Sequence, residues 1–215
     1  SMANNELSGP ILSVMLYTYL SKLPKLRHTY RFYFGAETIG ALVYLKMQGN
    51  HFREKMKAGL VVTCCGDNGK FNYKKVKRED NLLDKPVLHS FKHSNVEYKI
   101  RDFFPSGSDE RQYCSPGFNL PVGSIMRSVY GEFPEYHTSL DDLEFVNSKQ
   151  LLETLNIYVN ALYAFDNNKY YLNKNPYGEP FFSKYGLYPT LGGKKDHPQK
   201  NSIMKKASGV GLSHF

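Results

Sequence analysis

The strongest constraint on the fold is that stretches with helical spacing alternate with short apolar, β-branched stretches along most of the chain. Two of the strand candidates, residues 29–34 and 60–65, are separated by a helix candidate and a loop. That length suits the crossover that connects two parallel strands. β and α elements in this order predict a three-layer α/β/α sandwich around a mostly parallel sheet.

The individual elements follow from the period of the apolar residues and from capping residues. Ser8 is a candidate N-cap with Pro10 just inside the first helix, and Gly49 with Asn50 ends the second. Residues 105–117 are too rich in Gly and Pro for regular structure. The predicted strands cover residues 29–34, 60–65, 98–103 and 122–129, and the predicted helices cover residues 11–23, 38–48, 81–93 and 148–165.

The chain has 215 residues, which is enough for one substantial hydrophobic core. We predict one domain over residues 1–191. The remaining residues, 192–215, are polar and basic, and we predict a poorly ordered tail there.

The cysteine content and the start of the chain predict a cytoplasmic protein. Three cysteines are an odd number, and no basic segment followed by an apolar one opens the chain. The apolar run at residues 10–20 is too short to span a bilayer, so no membrane association is expected. Cys64 and Cys65 lie in a buried-strand pattern, which favours core packing over metal ligation.

The net charge of +8 raises the possibility of a nucleic-acid partner, but its distribution argues against one. The basic residues form short clusters at residues 74–78, 194–195 and 205–206, without a nucleic-acid motif beside them. A solvated surface explains these clusters better, and no nucleic-acid binding is expected.

His137 is the first candidate site residue. It follows a predicted strand, and Asp141 and Asp142 come four and five residues later. This arrangement suits a metal ligand whose second ring nitrogen is held by a carboxylate. The spacing equally allows a surface-loop histidine with helix-capping aspartates, so spacing alone leaves both interpretations open.

Two further candidates also have structural alternatives. Glu37 follows a predicted strand and begins a helix, where it can act as a general base or simply stabilise the first turn. The loop at residues 107–113 carries several hydrogen-bonding side chains. Such a loop can bind a substrate or form an internal salt-bridged turn.

Five segments together resemble a known family. They occur in one order along residues 2–193, and the segment 107–121 is the most specific of them. The likeness is to the aminopeptidase-like proteins of bacterial polysaccharide gene clusters, relatives of the di-zinc exopeptidases. The segments are residues 4–10, 36–40, 107–120, 136–142 and 175–180.

The resemblance implies a zinc-exopeptidase-like fold and a site that holds one or two zinc ions. Glu37 matches the general base, and His137 matches the closing zinc ligand. Asn5 stands where the family has Asp, and a neutral amide is a poorer ligand than a carboxylate. Glu6 could replace it, and Asp67 is a further ligand candidate. The family's first metal-binding His has no counterpart in this chain.

The resemblance also implies roles around the metal. Asp141 or Asp142 would hold the His137 ring. The residues expected to shape the pocket for a peptide or a small amide-containing substrate are Asp109, Glu110, Arg111 and Tyr113.

Relatives carry more chain before this region and a winged-helix-like segment after the equivalent of residues 188–193. We therefore expect an incomplete sheet with an exposed edge that either pairs with another copy or makes the chain poorly soluble. Two functions follow: a zinc-dependent aminopeptidase-like hydrolase, or a non-catalytic module that binds a glycan or protein partner in polysaccharide biosynthesis. Retained Glu37 and His137 favour the first, and Asn5 favours the second.

Overall fold

The computed structural model describes residues 2–174, 176–178, 181 and 184. The chain divides into a compact unit, Ser1–Lys169, and a second unit, Tyr170–Phe215, most of which lies outside the described residues. The predicted domain end at residue 191 and the predicted tail at residues 192–215 lie outside them too. Those two predictions therefore stay predictions, and the fold below is that of the first unit.

Five α-helices and four short strands make up this unit. One turn of π-helix, Ala3–Leu7, leads directly into the first α-helix. The helices are α1 (Ser8–Leu20), α2 (Ile39–Lys55), α3 (Asp84–Lys92), α4 (Glu110–Tyr113) and α5 (Ser148–Asn167), and the strands are β1 (Gly59–Val62), β2 (Phe71–Lys74), β3 (Tyr98–Arg101) and β4 (Val122–Met126).

The strands form one sheet in the order β1-β4-β2-β3. β1 pairs with β4 in parallel and β2 pairs with β3 in parallel, while the central pair of β2 and β4 is antiparallel. Two of the three pairings are therefore parallel, as the sequence predicts. The βαβ unit that the sequence predicts over residues 29–65 does not form, because residues 29–34 are not a strand; a parallel βαβ unit occurs instead at β2-α3-β3.

Helices cover both faces of the sheet, which gives the predicted three-layer α/β/α sandwich. On one face α1, α3 and α5 pack on the sheet around Leu12, Phe91 and Ile157. On the other face α2 and the segment after α4 pack around Leu45, Phe52 and Leu120. Successive residues of β1 contribute to opposite faces, because side chains alternate along a strand.

Several predicted boundaries are wrong for identifiable reasons. Residues 29–34 form no strand; instead the backbone amides of Arg27 and His28 and the hydroxyl of Tyr30 donate to Asp166 at the end of α5. Helix α2 continues past Gly49 to Lys55, and Gly49 lies inside the helix, where a Cβ atom would come within 2.3 Å of the ring of Phe118. Strand β2 was not predicted at all.

The start of α1 is fixed by a close approach to β1. A Cβ atom on Gly9 would come within 2.1 Å of the carbonyl oxygen of Val62, so only glycine fits here. Ser8 does not serve as the N-cap of α1, contrary to the prediction from the sequence. Its hydroxyl donates to the carbonyl of Asn4 and accepts from the amide of Cys65 at 2.9 Å. These contacts hold the residues before α1 against the end of β1.

Among the described residues, no helix is long and apolar enough to cross a membrane. The cytoplasmic location stays a prediction.

Candidate functional site

The candidate site lies where β1 and β4 end. These strands are parallel, so the residues after Val62 and after Met126 leave the sheet at the same edge. Asp67 follows β1 and Ser128 follows β4, and the Ser128 hydroxyl donates to Asp67 Oδ1 at 2.6 Å. This is the position that a ligand site takes in an open α/β sheet.

Asp141 ties the start of the chain to this edge. Its side chain is 2% exposed. Oδ1 accepts from the backbone amide of Asn4 at 2.6 Å and Oδ2 from that of Asn5 at 3.0 Å. The Asp141 carbonyl accepts from the amide of Ala3 at 2.9 Å. The carboxylate predicted to hold the His137 ring therefore holds the π-helical turn instead.

This clamp brings Asn5 to His137. The amide nitrogen Nδ2 of Asn5 lies 3.5 Å from Nε2 of His137. The His137 side chain is exposed, and its ring stacks on that of Tyr136 with centroids 4.0 Å apart. Two of the four predicted ligand positions thus lie next to each other, although they are far apart in sequence.

The other two predicted ligands have different surroundings. Asp67 is buried, and its carboxylate accepts from the Asn4 side chain at 2.9 Å, the Gly69 amide at 2.7 Å and both donors of Ser128. Glu6 is exposed and accepts from the amide of Met2 at 3.1 Å. The Asp67 carboxylate, predicted as a metal ligand, is therefore occupied by hydrogen bonds to Asn4, Gly69 and Ser128.

Glu37 approaches the same site from the start of α2. Its side chain is exposed. Burial raises the pKa of the Cys64 thiol to about 12, and the negative charges of Asp67, Asp141 and Glu37 add to that effect. Burial also raises the pKa of Tyr136, again with a contribution from Glu37. The charge of Glu37 thus contributes to the electrostatics of both Cys64 and Tyr136.

Backbone strain concentrates here. Three residues of the site are not glycine yet have positive φ: Thr38 at 61°, Cys64 at 48° and His137 at 58°. Such conformations persist only where the surroundings determine them, and they cluster at functional sites. Thr38 is the most unusual of the three, because a β-branched residue rarely adopts positive φ.

Asp142, the other residue expected beside His137, caps a turn. Its Oδ1 accepts from the amides of Glu144 at 2.9 Å and Phe145 at 3.2 Å. The Asp142 carboxylate thus serves this local turn, and none of its hydrogen bonds is with His137.

The residues predicted to bind substrate fall into two groups. Glu110 is fully buried and paired with Lys74, so its carboxylate faces the interior. Asp109 and Arg111 are half-buried, and both contact Thr38. Tyr113 is half-buried, and burial raises its pKa, with Asp109 and Tyr33 adding to the effect.

The described residues do not form a complete zinc site. Among them, no group of three or more His, Cys, Asp or Glu side chains could hold a metal ion. His137 and Asn5 offer two donors, whereas protein zinc sites use three or four. The donors that the described residues offer are therefore too few for the zinc site that the family resemblance implies.

Sequence reasoning missed three residues around the site. Cys64 was interpreted as a core residue, and it is buried, but it also lies 3.8 Å from Asn5 Oδ1. Its place directly after a predicted strand was the available signal. Asn4 bridges Asp67 and the Gly66 amide, and Lys74 pairs with Glu110. Neither gave a signal, because buried polar residues look like surface residues in a sequence.

Comparison with known proteins identifies relatives. A Clostridium acetobutylicum protein, provisionally named for polysaccharide biosynthesis with an aminopeptidase-like domain, is 46% identical over 198 residues. The match covers 92% of this chain and 45% of that protein.

Solved structures agree. The crystal structure of a provisionally assigned peptidase from Clostridium acetobutylicum is 44% identical with a TM-score of 0.78, covering 87% of this chain and 44% of that one. A zinc aminopeptidase from Bacillus subtilis has a TM-score of 0.64 at 17% identity, covering 76% of this chain and 44% of that one. This second likeness shows the shared fold alone.

The chain thus spans less than half the length of these relatives. The family described as Domain of unknown function (DUF4910) matches residues 1–168. The chain belongs to the DUF4910 family and has an aminopeptidase-like α/β fold.

Proposed function

We propose that this chain is an aminopeptidase-like hydrolase domain that acts on a peptide or amide bond. The observation that carries the proposal is the contact of Asn5 with His137, whose ring stacks on that of Tyr136, together with the contribution of the Glu37 charge to the raised pKa of Tyr136. These residues come from separate parts of the chain, and the strained backbone at Thr38 and His137 lies among them.

The chain's own residues suggest how such a reaction would proceed. Glu37 is an exposed carboxylate that can take a proton from the attacking water and return it to the leaving amine. Burial and the nearby Glu37 raise the pKa of Tyr136, so its hydroxyl stays protonated at neutral pH. That hydroxyl can donate a hydrogen bond to the substrate. His137 and Asn5 would lie beside the bound amide.

Zinc, one ion or two, is part of this proposal through the fold family. The described residues supply only two suitable donors, so no step of the reaction is assigned to metal in this chain.

The second candidate is a non-catalytic module of the same fold that binds a glycan or protein partner in polysaccharide biosynthesis. The Asn5 amide beside His137 favours it, because the amide takes the place of an acid. The name of the Clostridium acetobutylicum relative adds support for the pathway.

One experiment separates the two candidates. Zinc content and hydrolysis of a panel of aminoacyl anilides are measured for the chain and for Glu37→Gln. The matched control is Glu54→Gln, an exposed glutamate near the other end of α2. For a hydrolase, Glu37→Gln lowers kcat by roughly 10²-fold or more, while the control retains activity. Absence of Glu37-dependent hydrolysis would leave the binding module.

A further inference from the structure

Thr38, the residue directly after Glu37, is held by two side chains of one short segment. Asp109 Oδ1 accepts from the Thr38 backbone amide at 2.7 Å. Arg111 Nη2 donates to the Thr38 hydroxyl at 3.0 Å. The first contact fixes the backbone and the second fixes the side chain. Together they account for a conformation, φ 61° and ψ −66°, that threonine does not adopt unaided.

The segment that makes these contacts is itself anchored in the core. Between Asp109 and Arg111, the fully buried Glu110 accepts from Lys74 Nζ at 2.7 Å and from the Tyr130 hydroxyl at 2.9 Å. Lys74 Nζ also donates to the carbonyl of Ser106 at 2.5 Å. Lys74 is the last residue of β2, so the segment is tied to the sheet.

Stabilisation of α2 explains the position of Asp109 but not that of Arg111. A helix N-terminus favours negative charge, so the Asp109 carboxylate is favourable next to Thr38, whereas a guanidinium is not. Arg111 Nε is also buried without a hydrogen-bond partner among the described residues, which has a further cost. The position of Arg111, beside Asp109 but unfavourable for the helix dipole, is better explained by the Thr38 side chain that it holds in place.

We propose that Asp109 and Arg111 are positioning residues that set the direction in which the Glu37 side chain leaves the start of α2, with Glu110 and Lys74 as their anchor. The inference rests on the proposed function, in which Glu37 is the general base. In this role Asp109 and Arg111 bind Thr38 of the same chain. The sequence had suggested that they contact the substrate. A base that is already held in one orientation reacts faster, because less conformational entropy is lost on reaching the transition state.

The first test measures position without any need for activity. Amide signals and hydrogen exchange are recorded by NMR on the 215-residue chain and on Asp109→Ala, Asp109→Asn and Arg111→Met. We expect Asp109→Ala to shift the amide signals of Glu37 and Thr38 and to speed Thr38 exchange at least tenfold. Asp109→Asn keeps an acceptor oxygen and should restore most of the protection.

The control is Asp102→Ala, an 89% exposed carboxylate that pairs with Lys75. It should leave both signals unchanged. Unchanged Glu37 and Thr38 signals in Asp109→Ala would overturn the inference, whatever the chain's activity.

The second test uses kinetics. On an amide substrate, Asp109→Ala and Arg111→Met should lower kcat by roughly tenfold or more with little change in KM, and Asp109→Asn should recover most of the loss. A rise in KM at constant kcat would mean that these residues bind the substrate, and it would overturn the proposal. If the unmodified chain hydrolyses nothing, the proposed function fails, and the NMR experiment alone decides whether the segment positions Glu37.

Discussion

The side chains of Asn5 and His137 meet at the edge of the sheet, with Nδ2 of the first 3.5 Å from Nε2 of the second. The contact exists because Asp141 holds the backbone amide of Asn5. An amide thus stands at a position where a carboxylate would face the imidazole. This single difference limits how strongly the site can attract a cation.

Restoring the carboxylate should change zinc binding. In Asn5→Asp, the new carboxylate lies beside His137 and adds a charged ligand, so we expect zinc affinity to rise by about tenfold or more. Without metal the same variant should be less stable, by about 1 kcal/mol, because the new charge is added to a residue whose backbone amide already binds the carboxylate of Asp141. Isothermal titration with zinc and urea denaturation with and without zinc measure both effects.

The control for that experiment is Asn156→Asp, which places the same change on an exposed position of α5. Equal zinc affinities for Asn5→Asp, the control and the unmodified chain would show that position 5 does not contribute to a metal site.

The buried pair of Lys74 and Glu110 gives a second prediction. Lys74→Met or Glu110→Gln alone leaves a buried charge without its partner, and each should lower the free energy of unfolding by about 3 kcal/mol. The double variant Lys74→Met/Glu110→Gln removes both charges and should recover much of that loss. Urea denaturation of the single and double variants measures the coupling.

The exposed pair of Lys75 and Asp102 is the matched comparison. Its atoms are 2.6 Å apart, but Asp102 is 89% exposed, so the coupling should be below about 1 kcal/mol. Similar coupling for the two pairs would argue against a special role for the buried one.

The sequence predicts most of this fold, because helices α1, α2, α3 and α5 and strands β1, β3 and β4 have the apolar spacing of their element type. Strand β2 was not predicted because two of its residues are polar and are buried only through distant partners. Asn72 donates to the carbonyl of Arg127, and Lys74 donates to Glu110. Residues 29–34 have the composition of a strand. Instead, hydrogen bonds to Asp166, more than 130 residues away, hold the chain at Arg27 and Tyr30. A local sequence pattern cannot reveal such a distant partner.

The candidate site is predicted less completely. Spacing alone left His137 open between a ligand and a surface loop, and the resemblance singled out His137, Asn5 and Glu37 together. Their proximity depends on Asp141 and Asn4, whose hydrogen bonds join distant segments. The segment of Asp109 to Arg111 was recognised as important, but its contact with Thr38 depends on the path of the chain through space.

The buried thiol of Cys64 predicts a pH dependence of stability. Its pKa is raised by burial from the ordinary 9.0 to about 12, so above pH 9 the unfolded chain loses this proton before the folded chain does. The contribution of Cys64 is fully present below pH 9 and declines up to about pH 12, by about 1.4 kcal/mol per pH unit. Cys64→Ala removes the titrating group and should show a shallower fall in stability over that range.

Urea denaturation at several alkaline pH values measures the difference. Cys64→Ser packs differently but also lacks the thiol, so it should show the same shallower fall. Parallel pH profiles for the unmodified chain and both variants would mean that Cys64 ionises as readily in the folded chain as in the unfolded one.

The edge of the sheet at β1 gives the last prediction. Within the part of the chain that the structure describes, β1 pairs with β4 alone, so its other side is open to a further strand. Helix α1, which packs beside it, exposes about half of Ile11 and Val14. An open strand edge, together with exposed apolar side chains on the helix that contacts β1, favours association with a second copy, so we expect a dimer fraction that rises with protein concentration.

Light scattering coupled to size-exclusion chromatography measures that fraction. The double variant Ile11→Lys/Val14→Lys should shift the chain toward the monomer, because the lysine charges oppose burial of the exposed side of α1. The matched control, Leu152→Lys/Tyr163→Lys, changes two similarly exposed apolar residues on α5 and should not. An equal shift in both variants would mean that association depends on general surface hydrophobicity, and a chain that stays monomeric at every concentration would rule out pairing at this edge.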